Sequence, residues 1–226
     1  MKKNEHSPVR KKSFHTKTFD KIDEDRRETI LGVAIREFAD KGFNGTSING
    51  LARKAGISIG SLYSYFHSKD DLFLTVCARG QEVLQNALAD IDPEVGLFAA
   101  YRTMLDRARQ YAKSNPDLNL IYLDATTQGL RHLARRLSGS LEPVTASLYR
   151  KVIAAAIRKG EVRSDINPGA TAFCLDNVVV LFQFSFCSEY FRDRLRIFLG
   201  IADDQEIDEE GLVEAILDFA RAATGA

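Results

Sequence analysis

Apolar positions recur every three or four residues along almost the whole chain. Ile30, Ala34 and Phe38, with Leu31 and Ile35 beside them, make one stripe over about residues 25–41. Ile48, Leu51, Ala52 and Ala55 fall at i, i+3, i+4 and i+7, one face of a second helix. Leu62 and Phe66, at i and i+4, mark a third, which points back at the second. Thr46 and Ser47 are suited to cap the second helix, Gly56 to end it in the left-handed conformation, and Ser58 to cap the third. Two short helices joined by a tight Ala55-Gly56-Ile57-Ser58 turn form the helix-turn-helix pattern. Asn49-Gly50 alone would suggest a hairpin turn, but no alternating strand pattern flanks it.

The same period continues downstream. Ser68 and Asp71 fit a capping box, and Leu72, Val76, Val83, Ala87 and Ile91 predict a long helix to about residue 89. Further helices are predicted over about 95–113, from Pro116 through Leu118, Ile121, Tyr122 and Ala125, and over about 130–159 with an interruption near Ser138-Gly139 and a kink near Pro143. After a connector at 160–168 come 169–189 and, more weakly, 192–199 and 209–223. Val178 to Phe182 has strand propensity, but its long helical context argues otherwise. The predicted fold is all-α: a three-helix head with a helix-turn-helix, then a larger helical body.

The outer face of the third short helix is unusual. Ser58, Gly60, Ser61, Tyr63 and Ser64 give it little stability, and Gly60 costs about 1 kcal/mol relative to Ala in a helix interior. Such residues let a backbone come close to something large. With Arg53, Lys54, His67 and Lys69 around them, duplex DNA is the simplest candidate. Charge agrees. Residues 1–69 carry 14 Lys and Arg against 8 Asp and Glu, a net of +6, while the remainder carries 17 against 23, a net of −6. Residues 1–22 hold Lys2, Lys3, Arg10, Lys11, Lys12 and Lys17 among few apolar residues and read as a flexible arm. It is either a solvated tail or a phosphate or minor-groove contact.

Hydrophobic content of 45% is ordinary for a folded protein. No run approaches the ~20 apolar residues of a membrane span, and the basic start has no apolar run after it, so neither a span nor a secretory signal is expected. Cys77, Cys174 and Cys187 sit in apolar patterns and read as buried free thiols of a cytoplasmic protein, with a redox sensor as the alternative. His6, His15, His67 and His132 are scattered, no Cys/His spacing suits zinc, and neither a phosphate loop nor a nucleophile elbow appears. No enzyme activity, cofactor, catalytic residue or metal site is expected.

Over about residues 26–75 the chain resembles the TetR family of transcriptional repressors. The resemblance is carried by Ile30, Ala34, Phe38, Lys41-Gly42-Phe43, Thr46, Leu51-Ala52, Ala55-Gly56-Ile57-Ser58, Gly60-Ser61-Leu62-Tyr63-Ser64-Tyr65-Phe66 and Lys69-Asp70-Asp71-Leu72. Asn49-Gly50 departs from it, where charged or stronger helix-forming residues are expected. The resemblance implies an arm at 1–22, a DNA-binding domain at 23–69, and an effector-binding and dimerisation domain at 70–226. It implies that Ser58, Ile59, Gly60, Ser61, Tyr63 and Ser64 face the major groove or its walls, that Tyr63, His67 and Lys69 touch phosphates, and that Thr46, Ser47 and Asn49 start the helix lying across the backbone. Tyr65, on the core side, is read as packing. No Arg, Asn or Gln on the third helix gives a bidentate base contact, so base identity is not readable.

Large side chains crowd the body: Tyr101, Met104, Tyr122, Phe173, Phe182, Phe184 and Phe186, interrupted by Asp124, Thr126, Thr127, Gln128, Asp176, Asn177 and Gln183. Each taken singly reads as core or dimer contact. The resemblance implies an effector pocket, with Tyr101, Met104, Tyr122, Thr126, Phe173, Asn177 and Phe184 as candidate walls, and aromatic walls would suit a small apolar or aromatic effector such as an acyl chain. It also implies a homodimer whose last two long helices pair as a four-helix bundle, setting two reading helices ~34–36 Å apart on a palindromic operator. The competing classes are a DNA-binding regulator without small-molecule control, and a helical enzyme or interaction module indifferent to DNA.

Overall fold

The computed structural model describes residues 13–202 and 204–226, and among them every regular element is helical, with one isolated bridge between Val162 and Gly225. The basic residues Lys2, Lys3, Arg10, Lys11 and Lys12 lie outside the described residues. Helix α1, Lys17–Lys21, falls where the sequence suggests a flexible arm, so that expectation is corrected for residues 17–21. Its Phe19 is buried against the rings of Tyr65 and Phe66. One apolar residue among lysines gives no periodic signal, which is why the sequence hides the helix.

Helix α2, Glu24–Gly45, starts at Asp23, whose carboxylate accepts from the Arg26 amide at 2.8 Å. Gly42, at φ 65°, breaks its helical backbone. Helix α3, Ile48–Lys54, is capped by Ser47, which accepts from Gly50 N, so the Asn49-Gly50 pair sits inside a formed helix. Gly56, at φ 64°, makes the turn to α4, Ile59–Tyr65, capped by Ser58. Helix α5, Lys69–Leu88, starts at Ser68, which accepts from Asp71 N at 3.1 Å.

The body follows: a 3-10 turn at Pro93–Val95, α6 Leu97–Ser114, α7 Pro116–Ala125, a second turn at Gln128–Leu130, α8 Ala134–Arg158, α9 Pro168–Phe184, α10 Glu189–Leu199 and α11 Glu209–Thr224. The predicted helix over 169–189 ends at Phe184, and α10 leaves it at a 109° bend. Phe182, Gln183, Phe184 and Ser185 are all buried, so no change of pattern marks the break. Among the described residues no single helix is long and apolar enough to cross a membrane, although α9 and α10 together reach that length and composition.

Two apolar cores organise the chain. One joins Phe19, Ile30, Phe38, Leu51, Leu62 and Phe66 to Leu72 and Phe73 of α5 and to Ile121, Leu133 and Leu137 of the body. The other lies among α6, α8, α9 and α11, with Tyr101, Met104, Tyr149, Val152, Leu175 and Leu217. The proposed division at 69/70 therefore marks the start of α5 rather than a gap in packing. A second link crosses it: Asp124 of α7 accepts from the Phe43 amide at 2.8 Å, beside the break at Gly42.

Candidate nucleic-acid interface and cavity

Helix α4 is two turns long and rests on Leu62, with Phe66 just beyond it; both are buried. Ser58, Ile59, Gly60, Tyr63, Ser64 and His67 are exposed, Tyr63 by 48%, and Ser61 is half-buried. The serines also hold the helix together: Ser58 Oγ accepts from Ser61 N at 2.9 Å, and the Ser64 hydroxyl donates to Ser61 O at 2.7 Å. Gly60 has helical φ, and a Cβ placed on it would meet only Ser58 Oγ, at 3.8 Å. Nothing in the protein's own packing therefore demands a glycine there.

The flanking candidates divide. Ser47 and Asn49 are exposed on α3. Thr46 is buried at 4% exposure, its hydroxyl bonded to the carbonyls of Glu37 and Gly42 at 2.9 and 2.8 Å. Its side chain is turned inward, which corrects the expectation of a DNA contact from it. Lys69 donates to Thr46 O at 2.9 Å and lies 4.4 Å over the Phe43 ring, and burial pulls its pKa below the usual Lys value. The half-buried ammonium thus already has partners within the head. Lys54 and Lys41 both donate to the buried Glu37, holding its carboxyl below the usual range. Sequence spacing names these lysines but not the buried Glu37 that gathers them.

In the body, α5, α6, α7, α8 and α9 enclose a cavity of about 90 Å³. Val76, Leu84, Leu88, Met104, Ile121, Tyr122 and Val179 supply apolar wall, and Gln81, Arg107, Asn119, Asp176 and Gln183 supply polar edges. Asn119 and Gln183 are buried and hydrogen-bonded to each other. Burial pushes the Cys77 thiol up to about 12 and the Tyr111 phenol to about 12, so both stay neutral at ordinary pH. Drug-sized ligands fill roughly 300–1,000 Å³, so the space as it stands takes a small apolar group.

Of the predicted walls, Met104 and Tyr122 line this cavity. The other five are placed elsewhere. Tyr101 is core, its hydroxyl donating to Leu175 O at 3.0 Å. Phe184 is buried between Tyr122 and Phe191. Thr126 is exposed past the end of α7, its hydroxyl on Leu123 O. Phe173, 71% exposed, and Asn177 lie on the outer side of α9. Residue type alone does not tell the two sides of an all-apolar helix apart. Leu181 on α9 and Phe219 on α11 are exposed too, and α10 shows Tyr190, Ile197 and Phe198 to solvent. Cys77 is buried as expected, Cys187 half-buried, and Cys174 exposed, which corrects the reading of three buried thiols.

Comparison with known proteins bears on the head most directly. Residues 30–76 match the family described as bacterial regulatory proteins, tetR family. The HTH-type transcriptional repressor KstR2 of Mycolicibacterium smegmatis is 35% identical over 83 residues, which are 33% of this chain but only 40% of that relative's length. A TetR family transcriptional regulator from Chloroflexus aurantiacus shares the fold at TM-score 0.69 and 24% identity, over 94% of this chain and 99% of that one. The regulator FadR of Bacillus subtilis, solved with stearoyl-CoA, aligns at TM-score 0.67 and 14% identity, over 85% of this chain and 96% of its own. Residues 30–76 thus carry the helix-turn-helix of the tetR family of bacterial regulatory proteins, on an all-helical fold shared with TetR family regulators of known structure.

Proposed function

We propose that the protein is a ligand-responsive repressor, a homodimer that holds a palindromic operator until a small apolar or aromatic effector enters its body. The observation that carries this reading is Gly60. It weakens a two-turn helix, its Cβ position is open, and its backbone geometry does not require it. A partner's close approach is the remaining reason for its presence. Ser58, Ile59, Gly60, Ser61, Tyr63 and Ser64 would meet the major groove, and Ser47, Asn49 and His67 the flanking backbone. Thr46 and Lys69 support that surface from behind. The basic residues before Ser13 would add a salt-sensitive contribution.

The exposed apolar faces of α9 and α11, around Phe173, Leu181 and Phe219, suit a second copy of the chain. Control would run through two helices that touch both the cavity and the head. Helix α5 carries Leu72 and Phe73 in the head core and Val76 to Leu88 along the cavity. Helix α7 carries Ile121 and Tyr122 in the wall and Asp124 on the Phe43 amide. An effector that parts these walls would favour a different head angle, by no more than its difference in affinity for the two states. A long acyl chain such as that of the FadR ligand would need a larger space than the cavity now offers. A cytoplasmic regulator without small-molecule control is the second reading, and the modest cavity volume favours it.

Gly60→Ala separates a DNA surface from an ordinary helix face. It stabilises α4 by up to about 1 kcal/mol and yet weakens binding to duplexes that the wild-type protein enriches from a random pool. Tyr63→Ala weakens the same binding with the thermal midpoint held. Wild-type affinity in both variants at several salt concentrations would overturn the assignment. Thermal shift with small aromatic acids and acyl-CoA thioesters, followed by operator release, decides between the two readings.

A further inference from the structure

Helix α4 has an unusual C-terminus. The last carbonyls of any helix lack intrahelical partners, and a glycine in the left-handed conformation commonly supplies them. Here Phe66 follows in an extended conformation, with its amide on Leu62 O at 2.9 Å. The carbonyls of Ser64 and Tyr65 take their hydrogen bonds from a residue nearly fifty positions upstream. The Thr16 hydroxyl donates to Ser64 O at 2.7 Å, and the Thr16 amide donates to Tyr65 O at 2.9 Å.

Thr16 is itself held in place. Three residues on, Phe19 is 2% exposed, its ring 4.8 Å from that of Phe66 and 5.7 Å from that of Tyr65. Arg27 of α2 donates to Asp20 O at 2.8 Å and Ile22 O at 3.2 Å, fixing the exit from α1. On the other side Phe14 lies 5.2 Å under the guanidinium of Arg136 in α8, which pairs with Asp71 of α5 at 3.2 Å. The segment 14–22 is thus tied to the head core, to α2 and to the body.

A two-turn helix containing Gly60, Ser61 and Ser64 has little intrinsic stability, and isolated helices under about 12 residues are marginal in water. Ser58 caps its first turn, accepting from the Ser61 amide. We infer that Thr16 is a positioning residue for DNA recognition, a C-terminal cap supplied from outside the helix that, with Phe19 as its anchor, fixes the angle at which α4 is presented to DNA. The inference rests on α4 being the surface that meets DNA. It gives residues 14–22 a role distinct from a charged tail. A tail adds affinity for every sequence alike, whereas a brace on α4 adds discrimination between sequences.

The test compares the full-length wild type with Thr16→Val, which keeps shape and loses the hydroxyl, Thr16→Ser, which keeps the hydroxyl, and Phe19→Ala. Two readouts are taken. The first is amide hydrogen exchange at Leu62 to Phe66 without DNA. Thr16→Val and Phe19→Ala exchange faster there and Thr16→Ser does not; unchanged protection in Thr16→Val overturns the inference whatever DNA does. The second is the affinity ratio between duplexes enriched by the wild type and unselected duplex. Thr16→Val lowers the ratio by about three- to tenfold, the loss expected for one hydrogen bond. An unchanged ratio, or an equal loss on both duplexes with a shallower salt slope, overturns it. A wild type that enriches no duplex sinks the DNA-binding reading instead, and the exchange result still decides the brace. If Phe19→Ala fails to fold, the isosteric Thr16→Val carries both readouts.

Discussion

Helices α4 and α10 both turn most of their side chains to solvent, with opposite chemistry. Helix α4 shows Ser58, Gly60, Tyr63 and Ser64 over a buried Leu62. Helix α10 buries no residue fully and shows Tyr190, Ile197 and Phe198, the last two at 77% and 74% exposure. A small polar face costs little in water, so it persists without a partner and can meet a hydrated surface such as DNA. An exposed aromatic or aliphatic face forgoes about 25 cal/mol for each Å² left wet, and Phe173 and Leu181 of α9 and Phe219 of α11 do the same. Exposure alone is thus not the signal. What is exposed indicates the kind of partner.

Charging the apolar side is the strongest way to break this contrast. Phe173→Glu with Phe219→Glu should weaken self-association by about 4 kcal/mol, roughly a thousandfold, if each is a central contact worth about 2 kcal/mol. Sedimentation equilibrium measures it, and a wild-type chain that is monomeric at micromolar concentration removes the second-copy reading of α9 and α11. On the polar side, the surface around α4 depends on interior support. Glu37→Gln should cost the head about 1–3 kcal/mol through weakened charged hydrogen bonds to Lys54 and Lys41. In the wild type the Glu37 pKa is depressed in the folded state. Its contribution is therefore complete above the ordinary Glu value of 4.5 and is lost as pH falls through the lower folded value. Thermal midpoints taken from pH 7 down to pH 3 should fall less steeply in Glu37→Gln than in the wild type. The smallest effect is expected at Ile197→Ser with Phe198→Ser, within about 0.5 kcal/mol in a dilute monomer, because both side chains are mostly exposed and the Arg194 guanidinium over the Phe198 ring is an exposed contact of the same helix. A larger loss in urea titration would mean that α10 is covered within its own chain.

The parts legible in the sequence are those where one face is apolar and the other is not. The stripe of Ile30, Ala34 and Phe38, the caps at Ser47, Ser58 and Ser68, and the glycine turn at Gly56 all appear in the structure, because local chemistry fixes each of them. The break between α9 and α10 and, beyond Met104 and Tyr122, the cavity walls were not legible. Helix α9 is apolar nearly all round, so Phe173 on its outside and Val179 on its inside look alike. Thr46 and Lys69 carry suitable chemistry for DNA, but the Thr46 hydroxyl is turned onto the Glu37 and Gly42 carbonyls, and the Lys69 ammonium bonds to Thr46 O, 23 residues away. Thr16 was invisible for the same reason: its partners are 48 and 49 residues away.

The core that runs from the reading head into the body limits how this protein can be rebuilt. Ile121, Leu133 and Leu137 belong to the same apolar core as Phe43 and Phe73, and Asp124 accepts from the Phe43 amide. Transplanting residues 23–69 alone onto a foreign scaffold would strip Phe43 of its Phe73 ring contact and leave its amide without its acceptor. A chimera that keeps the head's packing has to bring α5, α7 and the start of α8 along, so the head cannot be exchanged as a free-standing part.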